Sequence, residues 1–310
     1  MEKKFISVVF YLHNDADVLE SFLDALIPTI SKEFENYELI AVNDCCQDAS
    51  VALLKEYLDN KGLNHIVSIV HMGFYQGVEA SMNAGRDAAI GDFIYEFDSV
   101  YVDYDSETVV ELFNKSAEGY DIVKAVGDAR KKITSKVFYA LYNKFSHGTG
   151  KIGPETFRLI SRRAINRVKS MGQYIPYRKA VYANCGLNMT SIMYHSVSVT
   201  GKKKHYAGER RKLAFDSFVY FTNVLEKLSA FISGLFLLIT VGTGIYIITD
   251  YFNVNKPIEG WVSTMAFLSF GFFGVFTLLT IVLKYLSVLL SLEFKKQRYL
   301  VSDIEKVVSK

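Results

Sequence analysis

Three carboxylates follow a short apolar run in the segment 91–105. The run Phe93–Phe97 is rich in aromatic and branched residues, which predicts a buried strand. Asp98 ends this run, and Asp103 and Asp105 lie shortly after it. Ligands bind at the carboxyl ends of strands in open parallel sheets, and hard divalent cations take oxygen ligands. The segment therefore fits a cation that bridges to nucleotide phosphates, although on its own it fits a strand with a solvated acidic turn equally well.

Polar residues also end two earlier apolar runs. Residues 5–12 and 37–42 predict strands, which are followed by Asn14 and Asp15 in the first case and by Asp44 in the second. The carboxyl ends of neighbouring parallel strands lie at one edge of a sheet. We therefore expect these side chains to line one cleft together with the acidic segment, where they could bind a charged or hydrogen-bonding ligand.

Helical periodicity alternates with the predicted strands. The further predicted elements are helices over 17–30, 49–58 and 78–89 and a strand over 65–70. Asn14 or Asp15 is the expected N-cap of the first helix. Such alternation predicts an α/β fold, in which helices cover both faces of a mostly parallel sheet. The last residues, 302–310, are expected to form a short helix or a frayed tail.

The charge pattern divides the chain. Its 310 residues have a formal net charge of +2, which argues against a nucleic-acid binder held by bulk charge. Charged residues occur throughout 1–212 but are absent from 229–249 and from 261–283. A helix needs roughly 20 apolar residues to cross a bilayer, so both stretches predict transmembrane helices. A pair of buried core helices is the alternative.

Flanking charges orient the two apolar stretches. Lysines and arginines lie before the first stretch and after the second, whereas the connecting loop has only Lys256. The positive-inside rule then predicts an integral protein of the cell (inner) membrane with both termini cytoplasmic. The expected organisation begins with a cytoplasmic domain over 1–212 and an amphipathic interfacial helix over 213–227. Transmembrane helices over 228–250 and 261–292 follow, joined by an extracytoplasmic loop over 251–260, and a cytoplasmic tail covers 293–310.

The order of motifs along the chain resembles glycosyltransferase family 2. The motifs are Val42-Asn43-Asp44, Gln76-Gly77-Val78-Glu79-Ala80, Asn83-Ala84-Gly85, Gly91-Asp92 and Asp98. Two later motifs, Phe157-Arg158-Leu159 and Tyr206-Ala207-Gly208-Glu209, are similar to the polyprenyl-phosphate branch of the family. The resemblance covers nearly the whole chain, and it implies the nucleotide-sugar-binding fold called GT-A.

The resemblance implies an inverting glycosyltransferase anchored in a membrane. Its donor would be a nucleoside-diphosphate sugar, its acceptor a polyprenyl phosphate such as undecaprenyl or dolichyl phosphate, and its cofactor Mg²⁺ or Mn²⁺. One alternative is the same fold acting on a hydroxyl of a lipid-linked oligosaccharide. Another is a catalytically impaired nucleotide-binding scaffold at the membrane. No nucleic-acid partner is expected, and assembly into a homo-oligomer stays open.

Site residues follow from the resemblance position by position. The implied catalytic residues are Asp98, Asp103, Glu155 and Arg158, of which Asp98 and Asp103 would also bind the metal ion. The implied donor-binding residues are Tyr11, His13, Asn14, Asp15, Asp44, Gly77, Arg130, Lys203 and Arg210. Asp44 and Asp15 would bind the nucleoside, and the basic residues, with Arg158, would bind phosphates.

The metal motif departs from the family pattern. Val100 stands where the family has the second carboxylate of Asp-x-Asp, and Thr156 stands where it often has an aspartate, next to Glu155. Fewer ligand charges weaken cation binding. Asp98 and Asp103 could suffice together with phosphate and water, catalysis could need no tightly bound metal, or the domain could have lost activity. Activity is the expected outcome.

Overall fold

One mixed sheet forms the centre of the molecule. The computed structural model describes residues 1–128, 133–145, 150–171, 177–197, 260–294 and 299–307, with Lys227, Leu228 and isolated positions between 231 and 245. The strands in this part of the chain are β1 Glu2–Leu12, β2 Phe34–Asn43, β3 Val67–Met72, β4 Phe93–Phe97, β5 Ile122–Gly127, β6 Phe157–Ser161, β7 Met189–Tyr194 and β8 Val301–Lys306. They lie in the order β7-β5-β6-β4-β1-β2-β3-β8. Only β6 and β8 run antiparallel to their neighbours in this described sheet.

Helices lie on both faces of the sheet. They are α1 Leu19–Glu33, α2 Ser50–Lys61, α3 Val78–Ala88, α4 Glu107–Ala117, α5 Ile133–Phe145, α6 Arg162–Met171, α7 Arg178–Ala183 and α8 Trp261–Phe294, and a 3₁₀ turn covers Asn64–Ile66. The predicted α/β class with a mostly parallel sheet is therefore confirmed. The first helix begins later than predicted, and neither Asn14 nor Asp15 caps it, since Val18 occupies the N-cap position without a side-chain bond.

The two-residue period of β1 separates two apolar cores. Ile6, Val8 and Phe10 pack on one face with α1, α2 and α4, whereas Val9 and Tyr11 pack on the other face with α3, α6 and α7. All five of these side chains are buried. Burying a large apolar side chain stabilises a fold by about 1.5–3 kcal/mol, so both layers hold the strand ends firmly in place.

A glycine brings α3 close to the sheet. A Cβ at Gly85 would lie 2.5 Å from Cγ1 of Val9 and would also collide with Val42. The helix therefore approaches β1 and β2 more closely than any side chain would permit. This contact sets the position of the first turn of α3 at the carboxyl edge of the sheet.

The C-terminal segment differs from its predicted form. Residues 301–306 form β8, which pairs antiparallel with β3 from Ser68–Lys306 to Met72–Val301. The expected helix or frayed tail is therefore wrong for these residues. Local sequence could not reveal the strand, because its hydrogen-bonding partner lies more than two hundred residues earlier in the chain.

The predicted membrane segments lie partly outside the described residues. The interfacial helix over 213–227 lies outside the described residues except at Lys227, as do most of the first predicted span, 228–250, and the loop over 251–259. The second predicted span corresponds to α8. Across the described parts of the chain, no helix meets the length and apolar character that crossing a bilayer requires. This finding contradicts the predicted location as an integral membrane protein.

Candidate active site

Asp44 lies fully buried directly after β2 and accepts three hydrogen bonds. The Tyr11 hydroxyl donates to Oδ2 over 2.9 Å. The backbone N–H of Gln76 donates to Oδ1, and that of Gly77 donates to Oδ2, each over 2.8 Å. Gly77 has a φ of +80°, a conformation that favours glycine. Asp44 thereby fixes residues 73–77, the β3–α3 loop, against the ends of β1 and β2.

An aromatic pair lies beside Asp44. The Nδ1 atom of His13 is 2.5 Å from the backbone carbonyl oxygen of Asp44. The His13 ring packs against that of Tyr75, with 4.6 Å between the ring centroids. Tyr75 is 40% exposed, so part of this aromatic surface faces solvent. A flat nucleobase could stack there, next to the polar strand ends.

Asn14 and Asp15 tie together the turns that follow β1 and β2. Asn14 has a φ of +56°, and its side-chain carbonyl accepts a hydrogen bond from the N–H of Gln47 over 2.6 Å. The Asp15 carboxylate accepts from the N–H of His13 over 3.0 Å, and the Asp15 N–H donates to Ser50 Oγ over 2.9 Å. Both predicted residues therefore lie at the sheet edge that the strand pattern predicts.

Glu96 and Asp98, at the end of β4, are enclosed by Arg158 and Arg178. Arg178 donates to Glu96 Oε2 over 2.8 Å and to Asp98 Oδ1 over 2.7 Å. Arg158 donates to Asp98 Oδ2 over 2.6 Å, and its Nη1 lies 3.1 Å from Glu96 Oε2. Both guanidinium groups are buried. Each carboxylate oxygen of Asp98 is thus bonded to an arginine.

Glu79 and Glu155 extend this arginine network on two sides. Glu79 Oε2, in the first turn of α3, accepts from Arg178 Nε over 2.9 Å. Glu155 Oε1 lies 3.1 Å from Arg158 Nη2 and 3.7 Å from Lys179 Nζ. Among the described residues, the ion pairs of this arginine network join the carboxylates Glu79, Glu96, Asp98 and Glu155 to the cations Arg158, Arg178 and Lys179. The residues around Asp44, namely Tyr11, His13 and Tyr75 to Gly77, are called the Asp44 pocket below. Because α3 follows the β3–α3 loop directly, Glu79 joins the network to this pocket.

Asp98 and Arg178 are charged members of the network at neutral pH, because each stabilises the ionised form of the other. Burial would raise the pKa of Asp98, but attraction to Arg158 and Arg178 outweighs burial and holds that pKa below its ordinary value. Burial would lower the pKa of Arg178, but the surrounding carboxylates raise it well above its ordinary value. The Asp98 side chain, 23% exposed, is the most open member of the network.

Asp103 belongs to a third polar group. The Tyr194 hydroxyl donates to Asp103 Oδ1 over 2.8 Å and lies 2.6 Å from Thr156 Oγ1. Burial, with a smaller contribution from Asp103, raises the pKa of Tyr194, so its hydroxyl keeps its proton at neutral pH. Tyr194 ends β7, and Thr156 follows Glu155 of the arginine network. The three polar groups therefore lie along one edge of the sheet.

The described residues do not form a conventional divalent-cation site. Among them, no group of three or more His, Cys, Asp or Glu side chains is placed to hold a metal ion. Val100 is fully buried in the apolar core, where it can supply no ligand. Both oxygens of Asp98 are bonded to arginines. Asp98 and Asp103, the predicted ligands of Mg²⁺ or Mn²⁺, thus do not fit a bound cation in this arrangement.

Arg158 does not occupy the place predicted for it. Instead of facing the cleft where it could bind a phosphate, its side chain is buried among three carboxylates. Three further predicted phosphate-binding residues, Arg130, Lys203 and Arg210, lie outside the described residues.

The sequence analysis did not predict several residues of the site. They are Glu79, Glu96, Arg178, Lys179 and Tyr194. A partner for Glu96 could have been predicted from the sequence, because a charged residue inside the buried apolar run Phe93–Phe97 needs one. The role of Arg178 could not have been predicted, since it lies 80 positions after Asp98 in the chain and no local pattern relates the two.

Comparison with known proteins identifies the family. The model of Glycosyl transferase family 2 matches residues 7–173. An uncharacterized glycosyltransferase of Synechocystis is 26% identical over 86% of this chain and 84% of that protein. The bactoprenol glucosyl transferase of Shigella phage SfV is 24% identical over 86% of this chain and 87% of that protein.

A solved structure supports the same fold. A mannosyltransferase from Pyrobaculum calidifontis, in complex with GDP-Man and Mn²⁺, superposes with a TM-score of 0.51 at 13% identity, over 92% of this chain and 88% of that one. At this identity the similarity shows the GT-A-like fold alone. The family match, which covers more than half of the chain, shows more: the protein belongs to glycosyltransferase family 2.

Proposed function

We propose that the protein is an inverting glycosyltransferase that moves a hexose from a nucleoside-diphosphate sugar to a polyprenyl phosphate. The observation that carries the acceptor class is the alignment with the bactoprenol glucosyl transferase of Shigella phage SfV, which extends over 86% of this chain and 87% of that protein. An alignment that covers most of both chains supports a shared acceptor class as well as a shared donor-binding region.

The pocket around Asp44 supports the donor class. A buried carboxylate orders the β3–α3 loop, and the His13–Tyr75 pair offers an aromatic surface beside it. In this proposal the nucleoside binds at Asp15 and this aromatic surface, beside the loop that Asp44 orders, and the diphosphate extends along the sheet edge toward Asp98. Asp44 acts mainly by organising the loop, because its own side chain is buried.

The arginine network supports a phosphate acceptor. A phosphate is already anionic at neutral pH, so its attack needs little help from a general base. Glu155, one of the catalytic residues that the family resemblance implies, would be the general base for a sugar hydroxyl, but it is ion-paired to Arg158 and Lys179 in the buried network. We assign Arg158 and Arg178 the role of holding Glu96 and Asp98 in place. No step is assigned to a cation, because the described residues do not fit one.

A donor screen tests the proposal. The purified full-length protein is incubated with UDP- and GDP-sugars, with and without undecaprenyl phosphate, and the release of nucleoside diphosphate is measured. We expect release that depends on the lipid phosphate for at least one donor. Parallel reactions with EDTA, Mg²⁺ and Mn²⁺ measure the metal dependence. No turnover with any donor under any of these conditions would refute the proposal.

Glu155→Gln distinguishes a phosphate acceptor from a sugar hydroxyl. A sugar hydroxyl needs a general base, whose loss costs about 100-fold or more in rate. For a phosphate acceptor we expect a loss below about tenfold, because no proton has to be removed. The rate is measured at saturating donor, and thermal unfolding of the variant controls for damage to the network. A loss of about 100-fold or more in a folded variant would favour a lipid-linked oligosaccharide as acceptor.

A further inference from the structure

The side chain of Gln76 binds the C-terminal segment. Its Nε2 donates to the carbonyl oxygen of Leu300 over 2.7 Å, and its Oε1 accepts from the N–H of Leu300 over 2.9 Å. The N–H of Gly73 also donates to the Leu300 carbonyl oxygen over 2.9 Å. Leu300 is therefore bonded to both ends of the β3–α3 loop.

Leu300 is itself held in place by its neighbours. It immediately precedes β8, which is paired to β3. On one side the Tyr299 hydroxyl donates to Asp87 over 2.9 Å, and farther along β8 the Lys55 ammonium group lies 2.7 Å from Glu305. The C-terminal segment 299–306 thus forms a fixed edge of the sheet beside the loop.

The same loop organises the Asp44 pocket. Gln76 uses its backbone N–H to bond Asp44 and its side chain to bond Leu300. A side chain that makes two hydrogen bonds to one backbone unit restricts both partners, because both bonds must break before either can move. Gln76 is therefore a direct structural connection between the C-terminal segment and the Asp44 pocket.

We infer that the C-terminal segment 299–306 is a positioning element of the nucleotide-binding site and acts through Gln76. This inference rests on the proposed function, since it takes the Asp44 pocket as the site for a nucleoside diphosphate. When Leu300 is seated, the N–H groups of Gln76 and Gly77 face Asp44, and the loop is preorganised for the nucleotide. When the contact with Leu300 is lost, nucleotide binding has to supply the ordering of the loop, and affinity falls.

Gln76→Ala tests the inference. UDP and GDP binding are measured by calorimetry on the full chain, and backbone hydrogen exchange is measured over 73–77 and 299–306. We expect about tenfold weaker nucleotide binding and faster exchange in both segments, because two hydrogen bonds are lost. In turnover, the KM for donor should rise by a similar factor, while kcat at saturating donor should stay within about threefold.

Glu305→Gln is the matched control in the same strand. It removes the charge that pairs with Lys55 at the far end of β8. Its amide can still bond His71, which lies 3.2 Å from Glu305, and the contacts of Leu300 stay intact. Exposed ion pairs contribute little, so nucleotide binding should stay within about twofold of wild type. A loss of stability in Gln76→Ala without an effect on the site would instead lower kcat through the amount of folded enzyme and leave the KM for donor unchanged.

The possible outcomes separate this inference from the proposed function. Wild-type protein that binds UDP or GDP, together with a Gln76→Ala variant of unchanged affinity or unchanged exchange over 73–77, would overturn the inference alone. Wild-type protein that binds neither nucleotide would overturn the nucleotide pocket and, with it, this inference. Weaker binding in Gln76→Ala, with Glu305→Gln like wild type, supports both.

Discussion

Asp98 directly follows β4, where Arg158 and Arg178 each donate a hydrogen bond to one of its two carboxylate oxygens. A buried charge is tolerated only with partners, and these two arginines are the partners that the described structure supplies. Asp98 is therefore part of a charged network at the carboxyl edge of the sheet.

Arg178→Ala should destabilise the protein strongly. Arg178 is fully buried and contacts Glu79, Glu96 and Asp98, so its removal leaves carboxylates without their cation. Breaking a buried ion pair in this way costs about 3–5 kcal/mol of unfolding free energy. Urea denaturation measures this cost. Arg163→Ala is the control, because Arg163 is 75% exposed and should lose less than about 0.5 kcal/mol. A loss below about 1 kcal/mol in Arg178→Ala would show that the network is not structurally important.

The pH dependence of Asp98→Asn should be confined to acid. Arg158 and Arg178 lower the pKa of Asp98 in the folded state, whereas the pKa of an unfolded aspartate is about 3.9. The ionised carboxylate therefore contributes its full stability above that value and loses it as pH falls toward the folded pKa. The difference in unfolding free energy between wild type and variant should be constant from about pH 5 to 8 and shrink below about pH 4. A difference that changes between pH 5 and 8 would contradict a lowered pKa.

Val100 shows why restoring a family motif is not a neutral substitution. Its side chain is fully buried in the same core cluster as Phe97 and Tyr104. An aspartate there would place a charge in apolar surroundings unless the segment moved. Substituting Val100 by aspartate alone therefore does not restore the metal motif of the family, because position 100 lies in the apolar core.

At the scale of elements, the first half of the chain could be predicted well. β1, β2, β4 and α1–α3 follow from apolar runs and helical periodicity, because each forms a local pattern with polar residues at its ends. β8 could not be predicted, since its weakly apolar residues become a strand only by pairing with β3. The contacts of Arg158 and Arg178 with Asp98 could not be predicted for the same reason, because only the tertiary fold brings these residues together.

The contact between α3 and the sheet gives a prediction at the same scale. Gly85→Ala adds a Cβ that collides with Val9 and Val42, so α3 must move away from β1 and β2. Overpacking of this kind costs about 1–3 kcal/mol, which urea denaturation can measure. The shift should also displace Glu79 and weaken nucleotide binding. Gly153→Ala is the control, because its added Cβ meets nothing within 4 Å. Equal stability of both variants would contradict the close packing of α3.

At the scale of the whole molecule, the sheet brings distant parts of the chain to one edge. The ends of β1, β2 and β4 supply the Asp44 pocket and Asp98, and the start of β6 and the end of β7 supply Thr156 and Tyr194. The chain then returns after α8 to pair β8 with β3. Residues from both ends of the sequence thus lie along one edge of the sheet, which is the edge where ligands bind in α/β folds.

The most direct test of the proposed activity is the intact mass of the lipid product. Purified protein is incubated with undecaprenyl phosphate and the donor selected by the screen, and the lipid is analysed by mass spectrometry. We predict a new species heavier than undecaprenyl phosphate by one hexose, which is absent without donor and without protein. A sugar attached to any other acceptor, with undecaprenyl phosphate unchanged, would contradict the central claim.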